Sequence, residues 1–134
     1  MSKSLIQTVN QSSQAVAENS IISLGSVQRR YGCNLRLSGN AIEVSGEGYY
    51  TIDACVSVAP TATGAVTVAI YENGAQIPSA IAYGSVSTAG NPVTLPISTT
   101  IRQGGCCAGA DSLTVVLLEG AGTVENVSLR VEKS

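Results

Sequence analysis

Residues 48–74 read GYYTIDACVSVAPTATGAVTVAIYENG, and apolar and polar side chains alternate along two consecutive runs of this stretch. The first run covers residues 50–59, and the second covers residues 66–71. An alternation with a period of two predicts β-strands that each bury one face. The dipeptide Asn73-Gly74 follows the second run and favours the type I′ turn of a hairpin, because both residues tolerate positive φ. The stretch therefore predicts two long strands and the turn into a third.

Short alternating runs bounded by Gly, Asn or Pro occupy most of the remaining chain. Only residues 12–19 offer a pattern compatible with a short turn of helix. About eight to ten strands at this spacing predict an all-β fold, built as an antiparallel sandwich or barrel. Residues 1–20 are polar and weakly patterned, so we expect an N-terminal arm there and one β domain over residues 21–134. The further predicted strands cover residues 5–9, 21–24, 35–37, 42–44, 77–86, 93–101, 113–118 and 124–131.

The composition is aliphatic and poor in charge. Hydrophobic residues make up 44% of the 134 residues, yet the chain contains no Phe, no Trp and only five Tyr. Charged residues make up 12%, which is about half the usual share. A soluble chain with so little charge suggests that copies of itself or a partner cover much of its surface.

Charge and hydropathy argue against two classes of partner. The net charge is −2 and Arg29-Arg30 is the single basic pair, so we expect no nucleic-acid binding. No apolar run approaches the roughly 20 residues that span a bilayer, so we expect no membrane partner. Residues 1–20 lack the continuous apolar core of a signal peptide. We therefore expect synthesis in the cytoplasm, where cysteines stay reduced by default.

Residues 113–118 read LTVVLL and are apolar on both faces of the predicted strand except at Thr114. Such a strand is covered on both sides, either deep within a sheet or at a contact between subunits. The scarcity of surface charge favours the contact between subunits. The predicted interface residues are Leu113, Val115, Val116, Leu117 and Leu118.

The sequence offers no recognisable catalytic, cofactor or metal site. It contains no His, the usual group for acid–base work near neutral pH, and no Gly-rich phosphate loop or Ser elbow. We therefore expect no enzymatic activity. Asp53 lies mid-strand on a polar face and is expected to meet solvent, another subunit or an Arg. Asp111 follows a Gly-rich loop and is expected to cap backbone N–H groups.

Four cysteines are present, at Cys33, Cys55, Cys106 and Cys107. Their spacing lacks the paired Cys-x-x-Cys pattern of zinc and redox sites. Cys55 lies mid-strand and is expected to be a small, half-buried residue. Reduced, packed thiols are the favoured interpretation of Cys33, Cys106 and Cys107. A disulfide from Cys33 to Cys106 or Cys107, within or between subunits, and a strained ring between the adjacent pair stay open as alternatives.

Four motifs in the later part of the chain resemble those of the TNF-like jelly roll, as found in complement-type heads and in trimeric surface proteins of bacteriophages. The resemblance covers about residues 20–132, but the Phe and Trp of the usual family core are missing. The motifs are Gly48-Tyr49-Tyr50 at the start of the long strand, residues 66–71 followed by Asn73-Gly74, residues 110–115 (ADSLTV), and residues 127–131 (VSLRV) before the end.

The resemblance implies an antiparallel jelly-roll sandwich over residues 21–134 that forms a homotrimer and needs no cofactor. It also implies a bacteriophage capsid decoration protein or head-fibre component at the virion surface, made in the bacterial host cytoplasm. The arm would then contact the major capsid protein or another virion protein. The predicted contact residues are Leu5, Ile6, Val9, Arg29 and Arg30.

The alternative is a receptor- or carbohydrate-binding module of a phage fibre or a bacterial surface protein, recognising a glycan on the host surface. Sugar sites usually cluster aromatic side chains that stack on the ring. Here Tyr49-Tyr50 is the one aromatic pair and the other Tyr residues are dispersed, which weighs against this alternative.

Overall fold

A computed structural model describes residues 4–104 and 111–133, and twelve β-strands and no helix occur within these ranges. The predicted all-β fold is confirmed. The strands are β1 (Leu5–Asn10), β2 (Gln14–Val16), β3 (Ser20–Ile21), β4 (Ser26–Tyr31), β5 (Leu35–Ser38), β6 (Ala41–Val44), β7 (Gly48–Pro60), β8 (Gly64–Glu72), β9 (Ala75–Val86), β10 (Val93–Gln103), β11 (Asp111–Glu119) and β12 (Gly122–Lys133).

The strands form two antiparallel sheets that pack face to face. Sheet A has the order β10-β7-β12-β1-β4, with the short β2 paired to β12. Sheet B has the order β5-β6-β11-β8-β9, with the short β3 paired to β11. The chain changes sheets between β6 and β7, again between β7 and β8, and at each connection from β9 to β12. Adjacent strands are thus mostly distant in sequence, which is the arrangement of a jelly roll.

The core between the sheets is aliphatic because inward positions alternate with outward ones on every long strand. In β7 the burial pattern alternates along nearly all of its 13 residues, with Tyr50, Ile52 and Val56 fully buried. Tyr50 is the one aromatic side chain in the described core. Its hydroxyl lies 2.8 Å from the carbonyl oxygen of Ser45 and 2.9 Å from that of Gly46, so the buried phenol is satisfied.

The β8–β9 hairpin turns where the sequence predicts it. Asn73 and Gly74 have φ values of 54° and 85°, as a type I′ turn requires. The Asn73 side chain also holds the start of β11, because its Oδ1 accepts the N–H of Ser112 at 2.9 Å and its Nδ2 donates to Asp111 Oδ1 at 2.9 Å.

One side of the sandwich is closed by a close approach of β9 to β10. A Cβ placed on Gly84 would lie 2.8 Å from Leu95 Cδ2 and 3.1 Å from Val93 Cγ2. Only a residue without a side chain lets the two strands pack at this distance. The border of sheet B at β9 is therefore held against the border of sheet A at β10.

The strand predicted at residues 5–9 is confirmed. Residues 5–10, which the expected arm also covers, form β1 between β12 and β4, and Ile6 is fully buried. Residues 14–16, expected near a helical turn, form β2 against β12. Of the segment expected as a strand at 21–24, Ile21 lies in β3 and the N–H of Ile22 donates to the carbonyl oxygen of Val115 at 2.8 Å; β4 was not anticipated. Strands β1, β2 and β3 are thus joined to the rest of the sandwich by long-range pairing.

Candidate functional site

No cluster of three or more His, Cys, Asp or Glu side chains that could hold a metal ion occurs in the described parts of the chain. Within the same residues, no helix is long and apolar enough to cross a membrane. The features that distinguish this molecule lie on the outward faces of its two sheets. These faces are named here the sheet A face and the sheet B stripe.

The sheet A face is formed by two adjacent rows of outward side chains across β1, β12, β7 and β10. The first row places Val9, Ser128, Cys55 and Pro96 directly opposite one another on successive strands. These side chains are short, and Cys55 is half-buried with a free thiol, as expected. The row therefore presents a flat surface without charge.

The second row consists of Gln7, Arg130, Asp53 and Ser98. Arg130 Nη2 lies 2.6 Å from Asp53 Oδ2, and Ser98 Oγ donates to Asp53 Oδ1 at 2.8 Å. Hydrogen bonds from Arg130 and then from Ser98 hold the pKa of Asp53 below its usual value. The expected Arg partner of Asp53 is confirmed, and the two opposite charges at the centre of this face neutralise each other.

The sheet B stripe is an apolar row on the opposite side of the sandwich. Ile21 of β3, Val116 of β11, Ala69 of β8 and Ile81 of β9 lie directly opposite one another in the strand register. Val116 and Ala69 are buried although neither belongs to the core between the sheets. Ile21 is 51% exposed, and Tyr83, two residues beyond Ile81, is 72% exposed. At the border strand β9 the stripe ends with the half-buried Ile81, and the exposed Tyr83 lies beside it on the same face.

The five residues predicted at a subunit interface divide between two environments. Leu113, Val115 and Leu117 point inward and are fully buried in the core of one chain. Val116 belongs to the stripe, and Leu118 is half-buried in a β-bulge between Leu117 and Glu119. Packing within one subunit thus accounts for the inward face of β11, and only the other two residues can contact a copy.

The five residues predicted to contact a capsid also divide. Ile6 is fully buried in the core and is removed from that set, because no partner can reach it. Leu5 and Val9 are half-buried on the outward side of sheet A. Arg29 and Arg30 are exposed on β4, and Arg30 Nε donates to the carbonyl oxygen of Leu35 at 2.7 Å.

Cys33 is exposed and carries a free thiol. Its proposed bridging partners, Cys106 and Cys107, lie outside the described residues. Cys33 borders a cavity of about 320 Å³ that is also lined by Arg36, Glu43 and Ser45. The Arg36–Glu43 ion pair, with 2.7 Å between Nη2 and Oε1, crosses the β5–β6 hairpin beside this cavity.

A pair of carboxyl groups lies where β8 ends and β11 begins. Burial and then a hydrogen bond with Asp111 raise the pKa of Glu72 to about 7. Asp111 was expected to cap backbone N–H groups. Among the described residues it accepts from the Asn73 side chain, and Asn73 Oδ1 accepts the N–H of Ser112.

Sequence reasoning missed the stripe, and it did not identify which arginine pairs with Asp53. The four residues of the stripe come from four strands, and their alignment depends on register between strands far apart in sequence. Asp53 and Arg130 are 77 positions apart. The one local signal was the alternation that places Ile81 and Tyr83 on the same face of one strand.

No protein-family model and no curated protein matches the sequence. Solved structures do match at 6–15% identity. Murine APRIL aligns with a TM-score of 0.78 at 14% identity, covering 99% of this chain and 100% of that one. The PRD1 vertex protein P5 aligns at 0.69 and 15%, covering 97% and 96%, and the globular domain of zebrafish complement 1qA at 0.68 and 6%, covering 94% of each. The chain adopts the TNF-like jelly-roll fold.

The TNF-like motifs singled out in the sequence fall on long strands of the sandwich, although Ala110, the first residue of the motif at 110–115, lies outside the described residues. Gly48-Tyr49-Tyr50 opens β7, which pairs with β10 on one side and β12 on the other. Residues 66–71 form most of β8, and residues 127–131 lie within β12. This TNF-like sandwich is built around an aliphatic core with a single described aromatic residue, Tyr50.

Proposed function

We propose that the protein is a non-enzymatic structural protein of the virion surface, acting as a homotrimer in the manner of a bacteriophage capsid decoration protein or head-fibre component. The observation that carries this proposal is the pair of dissimilar outward surfaces: one has its central charges paired, and the other is apolar, with Ile21 and the neighbouring Tyr83 exposed. Similarity to the PRD1 vertex protein P5 supports a place on a virion. We further propose synthesis in the cytoplasm of a bacterial host.

The exposed apolar side chains support self-association. Ile21 and Tyr83 are more than half exposed in a chain with 12% charged residues. Large exposed apolar groups on one side of a molecule mark contact surfaces. The sheet A face can accept such groups, because its side chains are short and its central charges are already paired.

A ring of three subunits joins one patch of each subunit to a different patch of its neighbour. If the two contacting patches lay on opposite, parallel faces of the sandwich, successive subunits would stack without rotation and form an open column. If one patch lies on a sheet face and the other on an adjoining border strand, the two patches are inclined to each other. Each subunit is then rotated relative to the last, and the ring can close. We therefore propose that Ile81 and Tyr83, at the β9 border, pack on the sheet A face of the next subunit. Val116 and Leu118 of β11 stay within the proposed interface as the apolar surface behind this border.

Light scattering of three variants tests the arrangement. The wild-type chain is expected near three times its mass of 13.6 kDa. Ser128→Arg blocks the sheet A face and Tyr83→Glu blocks the border, so each alone is expected to be monomeric. Mixed together they are expected to form a dimer, because each retains the patch that the other lacks. Ser38→Arg, an exposed position on β5, is the control and should remain trimeric.

Ile21→Glu reports how far the interface extends. If only Tyr83→Glu dissociates the trimer, the contact is limited to the β9 border. If Ile21→Glu dissociates it as well, the contact covers the whole stripe, including Val116. A wild-type monomer, or a mixture of blocked variants that fails to associate, would remove the proposed interface.

The capsid contact is proposed for Leu5, Val9, Arg29 and Arg30, with the major capsid protein or another virion protein as partner. Co-sedimentation with capsids lacking this protein tests it. Arg29→Glu combined with Arg30→Glu is expected to reduce the bound amount, while the trimer persists. Equal binding by the variant and the wild-type chain would exclude the basic pair from the contact.

A second function, recognition of a receptor or a glycan on a host surface, draws support from two exposed tyrosines. Tyr31 and Tyr49 are 49% and 57% exposed and lie toward the same end of sheet A. Exposed aromatic rings are the usual stacking platform for sugars. A glycan array with the wild-type chain and Tyr31→Ala/Tyr49→Ala tests this function, which requires binding that the double variant loses.

A further inference from the structure

The border strand β4 is unlike the other strands of the fold. All six of its residues are exposed, so it contributes no side chain to the core. It pairs with β1 along one edge and is the last strand of sheet A, so no described strand pairs with its second edge. A strand with an open edge and no buried face is available for pairing with another chain.

The other border strands carry features that discourage such pairing. β9 contains Pro78 and a residue with φ of 72° at Ser79, and β10 contains Pro96. Proline lacks the N–H that a pairing strand needs, and an irregular φ interrupts the edge. β5 has only four residues. β4 has six residues and no proline, and its pairing with β1 carries one register shift, between Val27 and Arg29. It is therefore the most accessible border among the described strands.

The charge on β4 indicates what can pair with it. Neither Arg29 nor Arg30 has a carboxylate within 4.0 Å in the described part of the chain, where the ion pairs are Arg36–Glu43 and Arg130–Asp53. Neighbouring residues in a strand point to opposite faces, so β4 presents one positive charge on each side. Pairing two copies of β4 would bring like charges together, whereas an acidic strand would meet opposite charges. Val27 and Tyr31, which are 40% and 49% exposed, add apolar contact area.

We propose that the open edge of β4 binds an extended acidic segment of another protein by strand addition. This inference deepens the proposed capsid contact, because it names the strand, the hydrogen-bonding mode and the chemistry of the partner. Main-chain hydrogen bonds along the edge supply affinity, and Arg29 and Arg30 select acidic side chains. The arginines at the same time prevent β4 from pairing with a second copy of itself.

A direct binding experiment uses the full chain and a labelled six-residue peptide of alternating Glu and Val, read by fluorescence anisotropy. Arg29→Glu combined with Arg30→Glu is expected to weaken binding by about tenfold. Arg102→Glu changes another exposed arginine without a carboxylate partner, on β10, and should leave affinity unchanged. A peptide with Pro at its centre should bind more weakly than the parent peptide, because it loses a main-chain donor.

Amide hydrogen exchange of the same complex locates the peptide. Exchange of residues 26–31 should slow on binding, while exchange of the β9 border should not change. The inference is overturned if the wild-type chain fails to bind at millimolar peptide, if Arg102→Glu weakens binding as much as the β4 variant does, or if the proline peptide binds equally well.

Light scattering of the same samples separates this result from the trimer. A trimer that does not bind the peptide refutes strand addition and leaves the proposed assembly intact. A monomer that binds the peptide through β4 supports strand addition and refutes the assembly.

Discussion

The two outward faces of this sandwich follow the same alternation of side chains but fill their outward positions differently. The sheet A face carries short side chains and one ion pair, Asp53–Arg130. The sheet B stripe carries aliphatic side chains, with Val116 and Ala69 buried outside the core. The difference shows that a strand can be apolar on both faces without lying in the middle of a larger protein. Val116 lies between its cross-strand neighbours Ile21 and Ala69 and is buried in a single chain.

The largest expected effect on stability comes from a comparison in which a carboxylate is placed on each outward face in turn. Val116→Asp puts a carboxylate at a site that is 7% exposed and lies directly opposite the apolar Ile21 and Ala69. It is expected to lower the free energy of unfolding by about 3 kcal/mol, because a buried charge is desolvated without compensation. Urea denaturation at fixed protein concentration measures this.

Ser128→Asp is the matched change on the sheet A face. Ser128 is half-buried, and the expected loss is under about 1 kcal/mol, because solvent still reaches the added carboxylate. If Val116→Asp and Ser128→Asp lowered the free energy of unfolding equally, the added carboxylate would be equally desolvated on both faces, contrary to the description above.

The next expected effect is the pH dependence of stability, which should differ between Glu72 in sheet B and Asp53 in sheet A. The Glu72 pKa is raised from 4.5 to about 7, so the folded state binds this proton more tightly than the unfolded chain does. Its stabilising contribution is complete below pH 4.5 and disappears as the pH rises through about 7. We expect stability to fall across this window by about 1 kcal/mol, since solvent screens part of the interaction.

Glu72→Gln should flatten this dependence, because an amide keeps a donor toward Asp111 and does not titrate. Thermal unfolding between pH 4.5 and 8 measures the slope. Glu125→Gln, at an exposed position on β12, is the control and should retain the wild-type slope. If Glu72→Gln left the slope of stability against pH unchanged, proton uptake by Glu72 would not be the cause of the pH dependence.

Asp53 is expected to respond in the opposite direction. Its pKa lies below 3.8, chiefly because Arg130 donates a hydrogen bond to the carboxylate. Its contribution is therefore present above pH 3.8 and is lost as the pH falls through the lower folded value. Asp53→Asn should weaken the acid dependence below pH 4, as measured by acid unfolding followed by circular dichroism.

The smallest effect is the coupling between Asp53 and Arg130. The side chains are 38% and 46% exposed, so a double-mutant cycle with Asp53→Asn and Arg130→Gln should give about 0.5 kcal/mol, decreasing with salt. A coupling that does not change with salt would mean that the pair is shielded from solvent.

The part of the fold that sequence predicts is the part fixed by neighbouring residues. The β7 and β8 alternation and the Asn73-Gly74 turn are local, and the structure reproduces them. β4 could not be predicted in the same way, because none of its six residues is buried and only its pairing with β1 makes it a strand. The partners of β1 are equally distant in sequence, since β1 pairs with both β12 and β4.

The candidate surfaces depend still more on long-range register. Sequence identified the apolar character of β11 but not which of its side chains pair with Ile21 and Ile81. It placed Asp53 on a polar face and named an arginine as one partner, but it could not select Arg130 from the others. Residues from distant strands meet only after both sheets have formed.

The pairing of β1 with β12 brings the two ends of the described chain together. The N–H of Lys133 donates to the carbonyl oxygen of Ser4 at 2.9 Å. Ends that lie side by side allow a domain to be circularly permuted or inserted into a loop of another protein. A short peptide between the ends, with the chain opened in the exposed turn near Thr88, would keep both sheets and their register. The same geometry means that cargoes fused to either end would emerge at one common point, which makes this sandwich a compact unit for display.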